Sequence, residues 1–291
     1  AAMTELDASY SAVAGEIGIS GRADGLNRYF AKDYVNRPPM ELLPVMDRLA
    51  DAVNSGPAGE GWSLAAGVNR VALETRPGLP ESCVVCGECM AGCARDSVYS
   101  TLRTWRRWVD AGRVEFLNAP VTRILPATRG LELGGAGASR TLEGLDTIFL
   151  AAGCPNSTAL LLHSFGIREA VEMQDNAVFV FPVLQAFPPR ASHSAARYLS
   201  INNLILGAWR DEPSHPYAQA LVYPNFDYLW RYNTPPPLWP AARTLVHASR
   251  QRLLWGRLYL HGDDSQTYAL RTDASGAPRF ETARTARTEK A

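Results

Sequence analysis

Ile148-Phe-Leu-Ala-Ala-Gly-Cys-Pro-Asn-Ser-Thr-Ala-Leu-Leu-Leu-His-Ser-Phe-Gly-Ile167 is the stretch on which the fold turns. The run Thr147–Ala152 is apolar throughout and stops at Gly153. A continuous apolar run of this length suits a strand covered on both faces, as in a parallel sheet. A helix is expected behind it from about Ser157, carrying Leu160, Leu161 and Leu162. At Gly153 the absence of a β-carbon lets bare main chain pass close to a ligand.

Upstream, Val114–Asn118, Val121–Pro126, Gly130–Leu133 and Arg140–Leu142 read as short strands separated by turn residues. Gly134-Gly135-Ala136-Gly137 is the loop of a hairpin. Downstream, Val178–Phe187, Leu204–Trp209 and Ala218–Tyr223 read as strands, and a helix is expected from about Ala241 to Leu254. Arg257–His261 and Thr267–Thr272 read as a hairpin around Gly262-Asp263-Asp264. Nearer the start, Leu6, Tyr10, Val13 and Ile17 have helical spacing over residues 5–17, with a stop at Gly18. A second helix is expected over Met40–Val53 and a third over Ser97–Ala111. The intervening Gly-, Pro- and Ala-rich residues 54–82 read as irregular, with a short strand near Val71–Leu73.

The 291 residues suffice for one large domain or two ordinary ones. With 29 basic and 29 acidic side chains the net charge is zero, which argues against nucleic acid or an anionic membrane surface as partner. No apolar run reaches the roughly 18–20 residues of a membrane-spanning helix. We expect Ala1 to be a cut point within a longer gene.

Four of the five cysteines fall within eleven residues, as Cys83-x2-Cys86-x2-Cys89-x3-Cys93. Clustered thiols point to a reducing compartment, the cytoplasm, rather than to a spread disulfide framework. The spacing is that of a ferredoxin run, although Ala94 stands where proline usually follows. Three readings stay open here: an iron–sulfur cluster with Cys154 as a remote ligand, tetrahedral zinc, and structural thiols or a local disulfide.

Three segments carry a family resemblance. Tyr10-Ser-Ala-Val-Ala-Gly-Glu-Ile-Gly-Ile-Ser-Gly21, the cysteine run leading into Ser97–Ala111, and Val121-Thr-Arg-Ile124 followed by Ile148–Ile167 together resemble the glucose–methanol–choline flavin oxidoreductases. The cysteine turn is similar to that of cholesterol-oxidase-like members, and Ala151-Ala-Gly followed by Ser157, a leucine run and Gly166-Ile resembles the second signature, with Phe165 intruding. The resemblance covers residues 10–167. It implies a mixed α+β and α/β fold: a partial FAD-binding domain, with a parallel strand and a β-meander, and an antiparallel-sheet substrate domain. It divides the chain into a helical and loop segment at 1–96, part of the FAD domain at 97–175 and a substrate domain at 176–291. It further implies FAD beside Val121, Ala152 and Gly153, and a small-molecule alcohol, sugar or sterol oxidised at CH–OH. Its electrons would leave to an acceptor protein, a quinone or an iron–sulfur centre.

The family's Gly-x-Gly-x-x-Gly unit and its C-terminal His-Pro with the following His or Asn are not found in this sequence. Both are therefore expected outside this chain, which would leave it inactive by itself and weak or incapable in flavin binding. The remaining candidate for acid–base work is His261 with Asp263 and Asp264. His163 reads as a helix-surface residue, His215 as solvated, His247 as structural and Arg103, Arg106 and Arg107 as a solvated face. Tyr223, Phe226, Tyr228, Trp230 and Tyr232 read either as core packing or as an apolar wall against flavin or substrate. Two rival functions stand beside the flavoenzyme: an iron–sulfur electron-transfer or binding subunit, and an inactive truncated product.

Overall fold

The computed structural model describes residues 2–29, 34–134, 139–186, 197–210, 218–250 and 252–283. The chain runs through α1 (Ala2–Ile17), α2 (Pro44–Ser55), β1 (Trp62–Val68), α3 (Thr101–Asp110), β2 (Val121–Leu125), β3 (Gly130–Leu133) and β4 (Arg140–Leu142). It continues through α4 (Cys154–Phe165), β5 (Val171–Gln174), β6 (Val178–Leu184), β7 (Leu204–Arg210) and β8 (Ala218–Pro224). The last elements are α5 (Asp227–Asn233), α6 (Trp239–Ser249), β9 (Leu253–Tyr259), β10 (Thr267–Thr272) and β11 (Pro278–Ala283). These helices and antiparallel sheets make a mixed α+β protein. Among the described residues no helix is long and apolar enough to cross a membrane.

Two compact units emerge: Ala1–Leu102 with Val178–His261, and Arg103–Ala177 with Gly262–Ala291. These units divide the chain after residues 102, 177 and 261. The first and last thirds of the chain nonetheless share a unit because β1 is laid along β7. Residues 262–283 join the middle segment because β10 pairs with β5.

The first unit is built on a five-stranded sheet in the order β1-β7-β8-β9-β6, every pair antiparallel. Alternation along the strands sorts side chains between its faces. Leu204 and Val222 are register partners, and with Ala66 and Leu254 they pack against Leu43, Val45, Met46 and Ala50 of the α2 region. Burying each such leucine contributes about 2 kcal/mol. On the opposite face Ala65 and Ile205 pack against Leu26. The strand β1 was not expected, since Ala65-Ala66-Gly67 has low strand propensity. A side chain at residue 67 would collide with the Asp24 carboxylate. Asp24 needs that space to accept from the Val68 amide at 2.8 Å and the Arg70 guanidinium at 3.0 Å.

The second unit holds two three-stranded sheets, β2-β3-β4 and β11-β10-β5. Its small core joins Ala159 and Leu162 of α4 to Leu270 and Met173. The meander β2-β3-β4 follows the expected strands, with Leu133 opposite Arg140. Of the glycine loop, residues 135–137 lie outside the described residues, as do His193, His215 and Phe187.

Several expectations are corrected. Thr147–Ala152 forms no strand, and among the described residues the second unit contains no parallel pair. A strand must satisfy its main-chain donors and acceptors against a neighbour, and none of the described strands runs beside this segment. It is exposed instead, with Phe149 at 89%. Val114–Asn118 is likewise irregular. The second helix starts at Pro44 rather than Met40, because proline is favoured at the first helical position and disfavours helix just before it. The third starts at Thr101, since Val98 is held in a bridge with Leu73. The α6 helix stops at Ser249, because Leu253-Leu-Trp-Gly-Arg-Leu-Tyr259 alternates with period two and enters the sheet as β9. The hairpin at Gly262 is absent: β9 pairs with β6 and β8, while β10 pairs with β5 and β11. In α1 the face of Leu6, Tyr10 and Val13 is exposed, and Ala14 is the buried residue.

Candidate functional site

A cavity of about 620 Å³ lies within the first unit. Its sheet wall is set by register: Tyr223 stands opposite Trp255, and Val180 opposite Arg257. The chain then turns into α5, which brings Tyr228, Trp230 and Tyr232 to the same cavity beside Phe226. All five aromatic residues of the Tyr223–Tyr232 stretch therefore line one space. Tyr228 and Tyr232 stack, with ring centroids 6.5 Å apart and planes 28° from parallel. Trp230 and Trp255 lie 6.4 Å apart at 55°.

The polar ends of both tryptophans are already engaged. Each indole Nε1 donates to Oδ1 of Asn225, at 2.7 Å from Trp230 and 3.1 Å from Trp255. Asn225 is fully buried, and its Nδ2 donates to Ser249 Oγ at 2.9 Å and the Val246 carbonyl at 3.4 Å. What the indoles can offer a ligand is thus apolar ring surface. Among the described lining residues there is no carboxylate, and Arg257 is the single formal charge.

Next to this wall sits a charged cluster that no sequence pattern singled out. Asp227, at the start of α5, takes the Arg250 guanidinium on Oδ1 and His247 Nε2 on Oδ2 at 3.0 Å, with Arg243 Nε at 3.7 Å. Arg250 is 1% exposed, donates Nε–H to the Asn225 carbonyl at 2.9 Å and lies 3.9 Å over the Tyr198 ring. The Tyr198 hydroxyl accepts from the Asp227 amide at 3.4 Å, and burial pushes its phenol above the ordinary value. A buried guanidinium with this many partners orients the start of α5 and, through Asn225, both tryptophans. Its sequence signal was the pair His247 and Arg250, three residues apart on one helical face.

The cysteine loop abuts the same cavity, which Met90 helps to line. Cys86 bridges Tyr198 through the main chain, and the Met90 amide donates to Ser200 Oγ at 3.1 Å. Gly87 has φ +79°, and a β-carbon there would fall 2.5 Å from the Tyr198 ring. Cys83 and Cys89 pack toward Met40, Val68, Leu73 and Leu199, and burial pushes both thiols up. Cys86 and Cys154 are exposed, and all five thiols are free. At Cys93 burial raises the thiol's pKa, but donors from Val98, Ser97 and Arg95 outweigh it and the net shift is downward. The Ser97 amide reaches Cys93 Sγ at 3.2 Å. Among the described residues no group of three or more His, Cys, Asp or Glu side chains is gathered as a metal centre.

Glu74 braces both ends of this loop, accepting from the Cys83 amide at 2.9 Å through its carbonyl and donating its amide to Ser97 at 2.8 Å. Hydrogen bonds from Arg76 and Arg37 hold its carboxyl at about 2, below the usual 4.5. A lowered folded-state value contributes stability above about pH 4.5, and that contribution is lost as pH falls toward 2. Melting followed from pH 6 to pH 3 should therefore show a steeper loss for the native chain than for Glu74→Gln. Parallel curves would contradict it.

The residues expected beside FAD all lie in the second unit. Gly153 caps α4 at φ +79°, is exposed, and a β-carbon there would meet nothing within 4 Å. The bend is held by Ser157, whose Oγ accepts from the Ala152 amide at 3.2 Å, and by Asn156, which donates to the Ala152 carbonyl at 3.2 Å. Val121 opens β2 and is 37% exposed. The contact joining β2 to α4 is made farther along, where the Ile124 amide donates to Ser164 Oγ at 2.8 Å. An open, positive-φ bend fits the close approach of a flat cofactor. The neighbouring apolar run does not supply the expected strand. His261 is exposed and lines no part of the aromatic cavity, and Asp263 accepts from Gln174 Nε2 at 3.3 Å.

Compared with known protein-family models and with curated protein sequences, the chain matches none.

Proposed function

We propose that this chain is part of a flavin-dependent oxidoreductase acting on CH–OH groups of a ring-bearing alcohol, sugar or sterol, with the aromatic cavity as its substrate chamber. The observation that carries the reading is the convergence of Tyr223, Phe226, Tyr228, Trp230 and Tyr232 on one cavity of about 620 Å³. That volume lies within the range of small-molecule sites, and aromatic walls with few polar groups suit flat, apolar ligands. FAD, when bound, supplies a two-electron acceptor for the hydrogen leaving a CH–OH carbon.

This chain's own residues have narrower tasks. Tyr228 and Tyr232 present ring faces. Asn225, held by Arg250 and Asp227, fixes the two indoles. In the second unit, Val121, Ala152 and Gly153 would hold the cofactor by close main-chain approach. An electron-acceptor protein or quinone completes the cycle. Five free thiols favour a cytoplasmic setting.

FAD titrated into the purified chain should bind weakly, with Kd on the order of 0.1–1 mM, and Gly153→Val should abolish that binding. The assignment of Val121, Ala152 and Gly153 requires weak binding rather than none, so absence of binding at millimolar FAD, or equal binding by Gly153→Val, would contradict it.

A further inference from the structure

We infer that the aromatic cavity takes a ring-bearing ligand carrying one anionic group, met by Arg257. The indole N–H groups of Trp230 and Trp255 are spent on Asn225, so they cannot serve as polar handles for a ligand. Asn233 spends its Nδ2 on the Leu229 carbonyl at 2.7 Å. That leaves Arg257 as the strongest unengaged donor among the described lining residues. It is exposed, and among the described residues no carboxylate pairs with it.

Its placement is fixed by the sheet. Arg257 follows Trp255 by two residues in β9, so both point to one face, and Val180 and Leu221 flank it as register partners. An arginine standing at the end of an apolar aromatic wall selects a carboxylate, sulfonate or phosphate on a hydrophobic body. The same charge, with no acidic residue among the described lining side chains, disfavours a cation despite the rings. The ligand class is therefore an aromatic or alicyclic acid. This deepens the proposal above and rests on it only for the hydroxyl that such a ligand would also carry; the charge selectivity does not depend on flavin.

Three probes of one shape test it by calorimetric titration of the 291-residue chain: 2-naphthoate, 2-naphthylmethanol and 2-naphthylmethylammonium. Naphthoate should bind about tenfold tighter than the neutral alcohol, and the ammonium should bind weakest. Arg257→Gln should bring naphthoate down to the alcohol's affinity while leaving the alcohol within about twofold. Tyr232→Ala, at a mostly exposed residue, should weaken all three by roughly three- to tenfold without unfolding the chain. Equal affinities, a naphthoate preference that survives Arg257→Gln, or no binding of any probe would each overturn the inference. Naphthoate selectivity without FAD binding would keep this inference and remove the redox reading. FAD binding without charge selectivity would do the reverse.

Discussion

Arg250→Met is expected to destabilise the first unit by about 3 kcal/mol, because it removes a buried guanidinium from the Asp227 carboxylate and leaves the Asn225 carbonyl without its donor. The guanidinium is 1% exposed and serves the Asp227 carboxylate, the Asn225 carbonyl and the Tyr198 ring at once. For a unit of this size the loss corresponds to a fall in Tm of roughly 6–12 °C. Asp227→Asn in the same chain should cost less than it does alone, since its contact with Arg250 is then already gone. Additive losses from the two substitutions would show that the pair is not coupled. The same change should loosen Asn225, and with it the emission of Trp230 and Trp255, before the unit melts. A melting curve and tryptophan spectrum indistinguishable from the native protein's would remove the cluster from the account of the site.

Gly87→Ala is expected to cost about 2–3 kcal/mol. A left-handed conformation at a residue with a side chain costs roughly 1–2 kcal/mol. The added methyl also overlaps the Tyr198 ring, which is 6% exposed and backed by Arg250. The tyrosine can yield only by moving off the guanidinium or by pushing the cysteine loop away. In either case Met90 is displaced from the cavity wall, so probe affinity should fall together with stability. Loss of stability with the affinity of the folded fraction unchanged would separate the loop from the site.

Both predictions concern contacts that the linear sequence conceals. The strands β3 and β4 were legible to the residue, because alternation and a glycine loop are local signals. So were most of β6, β7 and β8. The strand β1 was hidden by Ala65-Ala66-Gly67, of which Gly67 leaves room for Asp24, a residue forty-three positions earlier. Thr147–Ala152 misled in the opposite sense: its composition says strand, but a strand is a relation to a neighbour, and none is beside it. At the site, the aromatic run from Tyr223 to Tyr232 was legible as a cluster, with its role left between core and ligand wall. Its tie to Arg250 and Asn225 was not, since one Asn taking two indoles appears only once α5 and β9 lie together. The cysteine spacing left cluster, zinc and structural thiols open; what it could not show is that Cys83 and Cys89 pack against an apolar cluster while Cys86 is exposed.

The cofactor assignment is tested most directly by hydrogen–deuterium exchange of the purified chain with and without saturating FAD. Slowed exchange confined to the amides around Val121 and to residues 152–157 is the result expected. Unchanged exchange in both segments, or protection limited to the aromatic cavity, would contradict it.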